Sequence, residues 1–120
     1  MHDQAWYQAL FKSIDSKDTR TFLTFLTEDG LFRYGSNPAA HGSASIGTAV
    51  DQFFATIESS QHHLQRTWQD SDSAVCQGEV HYVLLDGRKV ELPFCSVFSL
   101  RDGRIARYEI YIDPTPLLAQ

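Results

Sequence analysis

Histidines in predicted β-strands are the residues of this sequence best suited to chemistry. His81 follows Glu79 by two positions, and the neighbours His62 and His63 open another predicted strand. An imidazole accepts or donates a proton near neutral pH, which suits general acid–base catalysis. Alternation along a strand turns one of two consecutive histidines inward and the other outward. The pattern leaves open which one faces inward, and whether Glu79 and His81 are no more than a structural polar pair.

Metal and cofactor motifs are a second possible source of chemistry. A metal ion needs at least three converging ligands. His63, Glu79 and His81 could be combined, but no ligand-like local spacing supports that combination. The sequence has no glycine-rich phosphate loop, no GxSxG motif and no CxxC motif. We therefore predict no metal site and no cofactor.

The elements that position these residues follow from the hydrophobic pattern. Helical spacing of apolar residues predicts a helix from about Asp3 to Ile14, a short helix with Phe22, Leu23, Phe25 and Leu26, and a third helix capped by Ser43. A short strand at 31–34 and a loop at 35–42 lie between them. After Ser60 the period changes to two, which predicts strands at about 62–69, 74–85, 89–100 and 104–112. Helices followed by an antiparallel meander indicate an α+β fold with the helices on one sheet face.

Two Asp-Gly pairs set the register of this meander. A two-residue loop at Asp86-Gly87 would pair Leu85 with Arg88, and hence place His81 opposite Leu92, Glu79 opposite Phe94 and Gln77 opposite Ser96. The loop at Asp102-Gly103 can hold two or three residues. We prefer three, with Gly103 in a left-handed bulge, because Tyr108, Ile110 and Ile112 then join the apolar face.

These registers define a face that could line a pocket. It carries Val83, Leu92, Phe94, Phe98, Tyr108, Ile110 and Ile112, interrupted by Glu79, His81 and Ser96. Polar groups within an apolar wall are typical of a ligand site. The same register places Cys76 opposite Val97 and Cys95 opposite Gly78, too far apart for easy bridging, so we predict two free thiols.

Composition excludes several classes of partner. Ten Lys+Arg against fifteen Asp+Glu give a net charge of −5, which argues against nucleic acid. No apolar run approaches the roughly 20 residues of a membrane span. The N-terminus lacks a signal peptide pattern, and two cysteines in 120 residues do not form a disulfide scaffold, so we expect a cytoplasmic protein. The length suits one domain over residues 1–120.

The layout resembles the nuclear-transport-factor-2-like cone fold, in its SnoaL-like branch. The resemblance rests on Phe25–Gly30, the loop through Gly42, Gly78–Tyr82, Asp102–Ile105 and Tyr111–Asp113, in that order and spacing. It implies a cone-shaped roll, in which three N-terminal helices pack on a curved, mostly antiparallel β-sheet. It also implies a homodimer formed through the outer sheet face. The family holds isomerases, cyclases, dehydratases and plain binding domains, so the fold leaves the activity open.

Position by position, the resemblance argues against two known sites. A ketosteroid-isomerase-like site needs a carboxylate at Tyr34, a tyrosine at Leu10 and an acid at Ser96. A limonene-epoxide-hydrolase-like site needs an arginine and an aspartate at Glu79 and His81, and another aspartate at Ile110. A scytalone-dehydratase-like set is closer, with two histidines on neighbouring strands and hydroxyl groups. The implied strand register favours His63 over His62 as the inward histidine.

The resulting hypothesis is a domain that binds a small, apolar, oxygenated molecule. Whether it is an enzyme stays open. As an enzyme it would be a cofactor-independent isomerase, dehydratase or cyclase, with His81 and His63 as acid–base groups and Tyr34 as a hydrogen-bond donor. The predicted substrate contacts are Phe32, Glu79, Leu92, Phe94, Ser96, Tyr108 and Ile110. The alternative is a non-catalytic ligand-binding or protein-interaction module of the same fold.

Overall fold

A computed structural model describes residues 4–118 of the chain. The helices are α1 (Gln4–Asp15), α2 (Thr19–Thr24), α3 (Ser43–Phe54) and α4 (Thr115–Leu118). The strands are β1 (Leu26–Tyr34), β2 (Ala40–His41), β3 (Ile57–Gln69), β4 (Ser73–Leu84), β5 (Lys89–Arg101) and β6 (Arg104–Tyr111). Asp3, the predicted start of the first helix, lies outside the described residues. No helix within residues 4–118 is long and apolar enough to cross a membrane.

The helices form where apolar residues recur at helical spacing. Tyr7, Leu10 and Phe11 give α1 one buried stripe, and α3 buries Ile46 and Val50 in the same way. Asp18 caps α2 by accepting a hydrogen bond from the backbone N–H of Thr21. At α3 the N-cap is Gly42 and Ser43 is the first helical residue, so the predicted serine cap is wrong.

A single six-stranded sheet follows the order β2-β1-β6-β5-β4-β3. The pair β1–β6 is parallel and every other neighbouring pair is antiparallel. Bulges interrupt β3 after Ile57 and after Leu64, and such irregularities add twist and bending to a sheet. The prediction of an α+β fold with a mostly antiparallel sheet is confirmed. Four details differ from the prediction: α2 ends at Thr24, so Phe25 and Leu26 lie outside it, β1 begins before residue 31, β3 begins before residue 62, and the predicted 35–42 loop contains β2.

The first hairpin corrects the predicted register by one residue. Its loop has three residues, because the Leu84 backbone N–H bonds to the Arg88 carbonyl and Gly87 takes a φ of 90°. His81 therefore lies opposite Glu91, and Glu79 opposite Pro93. This register buries Tyr82 and Leu84 and leaves Leu85 in solvent. The observed register is the one that buries the larger apolar side chains. As a result, Glu79 and His81 point to the face opposite the one predicted.

The second hairpin places the β6 residues on the predicted face, but through a different loop and a bulge. Asp102 and Gly103 form a two-residue loop, both with positive φ, so the predicted three-residue loop is wrong. A bulge between the pairs Leu100–Ile105 and Ser99–Arg107 then supplies the extra residue. Beyond it, Tyr108 lies opposite Phe98 and Ile110 opposite Ser96, on the face that was predicted.

The corrected register also places the cysteines. Cys76 lies opposite Ser96, and Cys95 lies opposite Gln77, so the predicted partners Val97 and Gly78 are wrong. Cys76 is on the inner face that the helices cover, and Cys95 is on the outer face. Both are free thiols, as predicted. Burial raises the pKa of the Cys76 thiol to about 12.

Candidate functional site

A cavity of about 130 Å³ lies between the inner face of the sheet and the helices α1 to α3. Its wall is mostly aromatic and aliphatic, with Phe11, Phe22, Phe53 and Phe94 among the lining residues. Rings meet edge to face or at a tilt, as for Phe11 and Phe94 with centroids 5.9 Å apart. The apolar wall favours an organic molecule over an ion.

Six of the ten predicted site residues line this cavity. They are Tyr34 and the predicted substrate contacts Phe32, Phe94, Ser96, Tyr108 and Ile110. Leu92 is on the same inner face and is buried in the core, but it is not part of the cavity wall. Their placement follows from the alternation of β1, β5 and β6, which the apolar pattern predicts well.

Besides Leu92, three of the predicted site residues do not reach the cavity. Glu79 and His81 lie on the outer face because of the corrected first hairpin. His63 is paired with Glu79, so it shares that face, and its ring centroid is 4.4 Å from that of His81. The prediction that His81, His63 and Glu79 line the pocket is therefore wrong.

His62 is the histidine that lines the cavity. Its Nδ1 lies 2.6 Å from Oδ1 of Asp15, and its backbone N–H donates to Oδ2 of the same carboxylate at 2.9 Å. The Ser60 hydroxyl also donates to Asp15, at 2.8 Å. The Asp15 carboxylate at the end of α1 therefore holds both the backbone and the ring of His62 in place.

The surroundings of the His62 ring are largely apolar. The side chain is 11% exposed. Its ring centroid is 4.8 Å from that of Phe11 and 5.3 Å from that of Phe94. Within residues 4–118, no hydrogen bond uses its second ring nitrogen, Nε2. The arrangement leaves Nε2 available to a molecule in the cavity.

Asp15 was not among the predicted site residues. In the sequence, Asp15 belongs to an Asp-Ser-Lys-Asp stretch that ends the predicted first helix. Its partner His62 is 47 residues away along the chain. Only the packing of α1 against β3 brings the two together, and no local pattern signals it.

Two tyrosines form a hydroxyl pair on the cavity wall. The hydroxyl oxygens of Tyr34 and Tyr82 are 3.1 Å apart. The Phe53 ring packs on both, with centroids 5.0 Å from Tyr34 and 5.7 Å from Tyr82. Burial raises the pKa of both tyrosines. Because one hydroxyl donates to the other, one phenolic proton of the pair remains for a ligand oxygen.

Ser96 and Tyr108 add two further hydroxyls. Both hydroxyl oxygens are buried, and neither has a hydrogen-bond partner among residues 4–118. Burial raises the pKa of Tyr108 well above its ordinary value. Buried hydroxyls without partners are uncommon in folded proteins. They are therefore suited to bind polar atoms of a small molecule.

Helices on one face of a curved sheet, with an apolar cavity between them, define a cone-type α+β domain, the fold of the nuclear-transport-factor-2-like superfamily. The chain belongs to the SnoaL-like domain family, whose model matches residues 5–108. The predicted family resemblance is confirmed. No curated protein matches the chain closely in sequence.

Solved structures of low sequence identity share the fold. An NTF2-like protein of unknown function from Burkholderia pseudomallei is 15% identical with a TM-score of 0.85, covering 93% of this chain and 91% of its own. A Catenulispora acidiphila protein with a ketosteroid isomerase-like fold, in complex with trimethylamine, is 15% identical with a TM-score of 0.85, covering 95% and 89%. An LEH-like epoxide hydrolase from M. tuberculosis is 17% identical with a TM-score of 0.77, covering 93% and 83%.

Proposed function

We propose that this SnoaL-like domain is a cofactor-independent proton-transfer enzyme of the isomerase, dehydratase or cyclase type. Its substrate is a small, largely apolar molecule with a carbonyl or hydroxyl oxygen. The observation that carries the proposal is the hydrogen-bonded pair of His62 and Asp15 on the wall of the apolar cavity. It moves the predicted acid–base role from His81 and His63 to His62.

Asp15 prepares His62 to act as a base. Because the carboxylate accepts a hydrogen bond from the protonated Nδ1, the neutral ring carries its lone pair on Nε2. Nε2 can then take a proton from a carbon next to a substrate carbonyl. The positive charge that forms on the ring is stabilised by the carboxylate. Returning the proton to another carbon isomerises the substrate, and returning it to a leaving hydroxyl completes a dehydration.

The hydroxyl groups are suited to the substrate oxygen. Removing a proton beside a carbonyl places negative charge on that oxygen, and a preorganised donor in a low-dielectric site stabilises it strongly. The Tyr34–Tyr82 pair has one proton to donate, and the raised pKa values keep both phenols protonated. Ser96 is a second possible donor. Tyr34 keeps its predicted role as a hydrogen-bond donor in this proposal.

The size of the cavity limits the substrate. At about 130 Å³ it is close to the engineered cavity of about 150 Å³ in another protein that holds benzene. A ligand with one six-membered ring therefore fits without rearrangement. The trimethylamine complex of the Catenulispora acidiphila protein supports small ligands in this fold.

A minimal substrate tests the proposal. We expect the protein to accelerate conversion of 3-cyclohexen-1-one into conjugated 2-cyclohexen-1-one, followed by ultraviolet absorbance. His62→Asn keeps a donor to Asp15 and removes Nε2, so we expect it to lower kcat/KM by about 10²–10⁴-fold. His63→Asn, one residue away on the outer face, is the matched control and should keep full activity. Equal losses in both variants, or no acceleration by the unaltered protein, would exclude this role for His62.

Binding without turnover is the second candidate function. The unpartnered hydroxyls of Ser96 and Tyr108 favour it, because they can hold a ligand oxygen with no chemistry. Saturable binding of 2-cyclohexen-1-one, measured by calorimetry, in a protein that does not isomerise 3-cyclohexen-1-one would support this alternative. Native mass spectrometry of the freshly purified protein would then identify a co-purified ligand.

We also propose a homodimer through the outer sheet face and a cytoplasmic location. Trp68 and Tyr111 are 50% and 52% exposed on that face, which supports contact with a second copy. The free thiols of Cys76 and Cys95 suit a reducing compartment. Sedimentation velocity tests the dimer. Trp68→Glu should yield monomers, whereas a substitution at the exposed hairpin residue Leu85 should not.

A further inference from the structure

Four side chains converge on the outer face of the sheet, away from the cavity. Glu79 and His81 are two positions apart on β4. His63 on β3 lies opposite Glu79, and Glu91 on β5 lies opposite His81. Paired residues and residues two apart share a face of a sheet. The neighbouring strands β5, β4 and β3, with β3 at the edge of the sheet, thus present two imidazoles and two carboxylates together.

The distances within this outer cluster are short. One ligating atom each from Glu79, His81 and Glu91 lies within 4.8 Å of the other two. His81 Nε2 is 3.4 Å from Glu79, and His81 Nδ1 is 3.6 Å from Glu91. The ring of His63 approaches that of His81, with centroids 4.4 Å apart.

The charges of the outer cluster are unbalanced. Within residues 4–118, no lysine or arginine forms an ion pair with Glu79 or Glu91. The ion-pair partner of both carboxylates among these residues is His81. A divalent cation among two carboxylates and two neutral imidazoles would give a net charge of zero.

We propose that His63, Glu79, His81 and Glu91 form a binding site for a divalent transition metal ion, best suited to Zn²⁺. Zinc takes imidazole nitrogens and carboxylate oxygens at about 2.0–2.2 Å in tetrahedral geometry, which puts neighbouring ligand atoms about 3.4 Å apart. The ligand atoms of Glu79, His81 and Glu91 already lie within 4.8 Å of one another, and the ring of His63 is 4.4 Å from that of His81, so rotations about side-chain bonds are sufficient. Glu79, His81 and Glu91 have room for them, because their side chains are 47%, 36% and 64% exposed.

The geometry also divides the roles within the site. One ring nitrogen of His81 binds the metal together with an oxygen of Glu79 and an oxygen of Glu91. The exposed His63 ring lies beside that of His81, so rotation of its side chain brings a second nitrogen to the fourth position. The ion would thus connect β3, β4 and β5 on the face opposite the cavity.

Sequence spacing does not reveal this site, and we predicted none from it. Its ligands lie on three strands, and the first hairpin sets Glu91 beside His81 only when its loop has three residues. In the predicted register Glu91 would have pointed to the other face. The three-residue loop of the first hairpin therefore both changes the register from the predicted one and brings the four side chains together.

Calorimetric titration of the chelator-treated, full-length protein with ZnCl2 tests the proposal. We expect saturable binding with one Zn²⁺ per chain. His81→Gln and Glu79→Gln should each weaken it by at least about tenfold. His41→Gln, at another exposed histidine, is the matched control and should bind as the unaltered protein does. No saturable binding, or equal affinity in all three variants, would overturn the proposal.

Thermal unfolding provides a second readout that does not depend on any enzymatic activity. A ligand that binds only the folded state raises Tm. We expect about 100 µM ZnCl2 to raise the Tm of the unaltered protein and of His41→Gln by several degrees. In His81→Gln and Glu79→Gln, whose own Tm should be near that of the unaltered protein because both sites are solvent-accessible, the rise should disappear. An equal rise in every variant would contradict the assignment.

Discussion

Two histidine–carboxylate pairs lie on opposite faces of the same sheet. On the inner face, His62 is 2.6 Å from Asp15 and its side chain is 11% exposed. On the outer face, His81 is 3.4 Å from Glu79 and its side chain is 36% exposed. Electrostatic interactions strengthen where water is excluded. Similar pairs of groups can therefore provide an oriented base on one face and open metal ligands on the other.

The comparison also shows how little separates the two roles in the chain. His62 and His63 are consecutive, yet one lines the cavity and the other belongs to the outer cluster. Strand alternation alone produces this division. The environment of each ring, and not the residue type, decides which chemistry is available to it.

Matched substitutions of the two carboxylates provide the strongest test of this comparison. Asp15→Asn should lower kcat for isomerisation of 3-cyclohexen-1-one by about 10²–10⁴-fold, because an amide can hold the wrong tautomer of His62. Glu79→Gln should leave kcat unchanged. Steady-state kinetics with circular dichroism of both variants measures the difference. If Glu79→Gln were the slower enzyme, the assignment of the two faces would be reversed.

The sequence predicts most of the wall of the inner face. The alternating pattern of β5 and β6 correctly places Phe94, Ser96, Tyr108 and Ile110 on one face, because burial of large apolar residues determines it. Asp86-Gly87 does not determine its own loop length, since both two- and three-residue loops accept this pair. One residue of difference moved His81 and Glu79 to the other face.

The pair of Asp15 and His62 on the inner face could not be predicted from local sequence patterns, for a different reason. Asp15 and His62 meet through the packing of a helix on a distant strand, 47 residues away. Neither periodicity nor motif spacing contains that contact. The inward position of His62 depends on the β3–β4 register, which the family resemblance alone did not fix correctly.

The tyrosine pair of the inner face gives the next largest expected effect. In Tyr34→Phe or Tyr82→Phe the remaining hydroxyl can still donate to the ligand, so kcat should fall by no more than about tenfold. The double variant loses both protons and should fall by about 10²–10³-fold. Kinetics of the three variants form a double-mutant cycle. Additive losses would show that the two hydroxyls act independently.

Gly78 tests the packing that separates the two faces. A Cβ at this position would overlap the carbonyl oxygen of His63, which is backbone and cannot move aside. Gly78→Ala should therefore cost about 3 kcal/mol of unfolding free energy, as overpacking does. Gly87→Ala, where no atom lies within 4 Å but φ is 90°, should cost about 1 kcal/mol. Urea denaturation measures both, and a smaller loss at Gly78 would indicate that β3 shifts freely.

The two thiols extend the comparison of faces to alkaline pH. Burial raises the pKa of Cys76 from 9.0 to about 12 in the folded protein. The unfolded state therefore releases this proton first, and stability is lost as pH rises above 9. We expect the thiol to contribute a loss of about 1 kcal/mol by pH 10.

Urea denaturation between pH 8 and pH 10 measures this loss, and comparison with Cys76→Ala subtracts the contribution of the buried tyrosines, which both proteins share. Cys76→Ala should have a shallower pH dependence than the unaltered protein, whereas Cys95→Ala on the outer face should keep the steeper one. The sign is fixed by burial, because only a thiol held neutral in the folded state opposes ionisation there. If Cys95→Ala instead removed the pH dependence of the unfolding free energy, the inner face would not be the face from which water is better excluded.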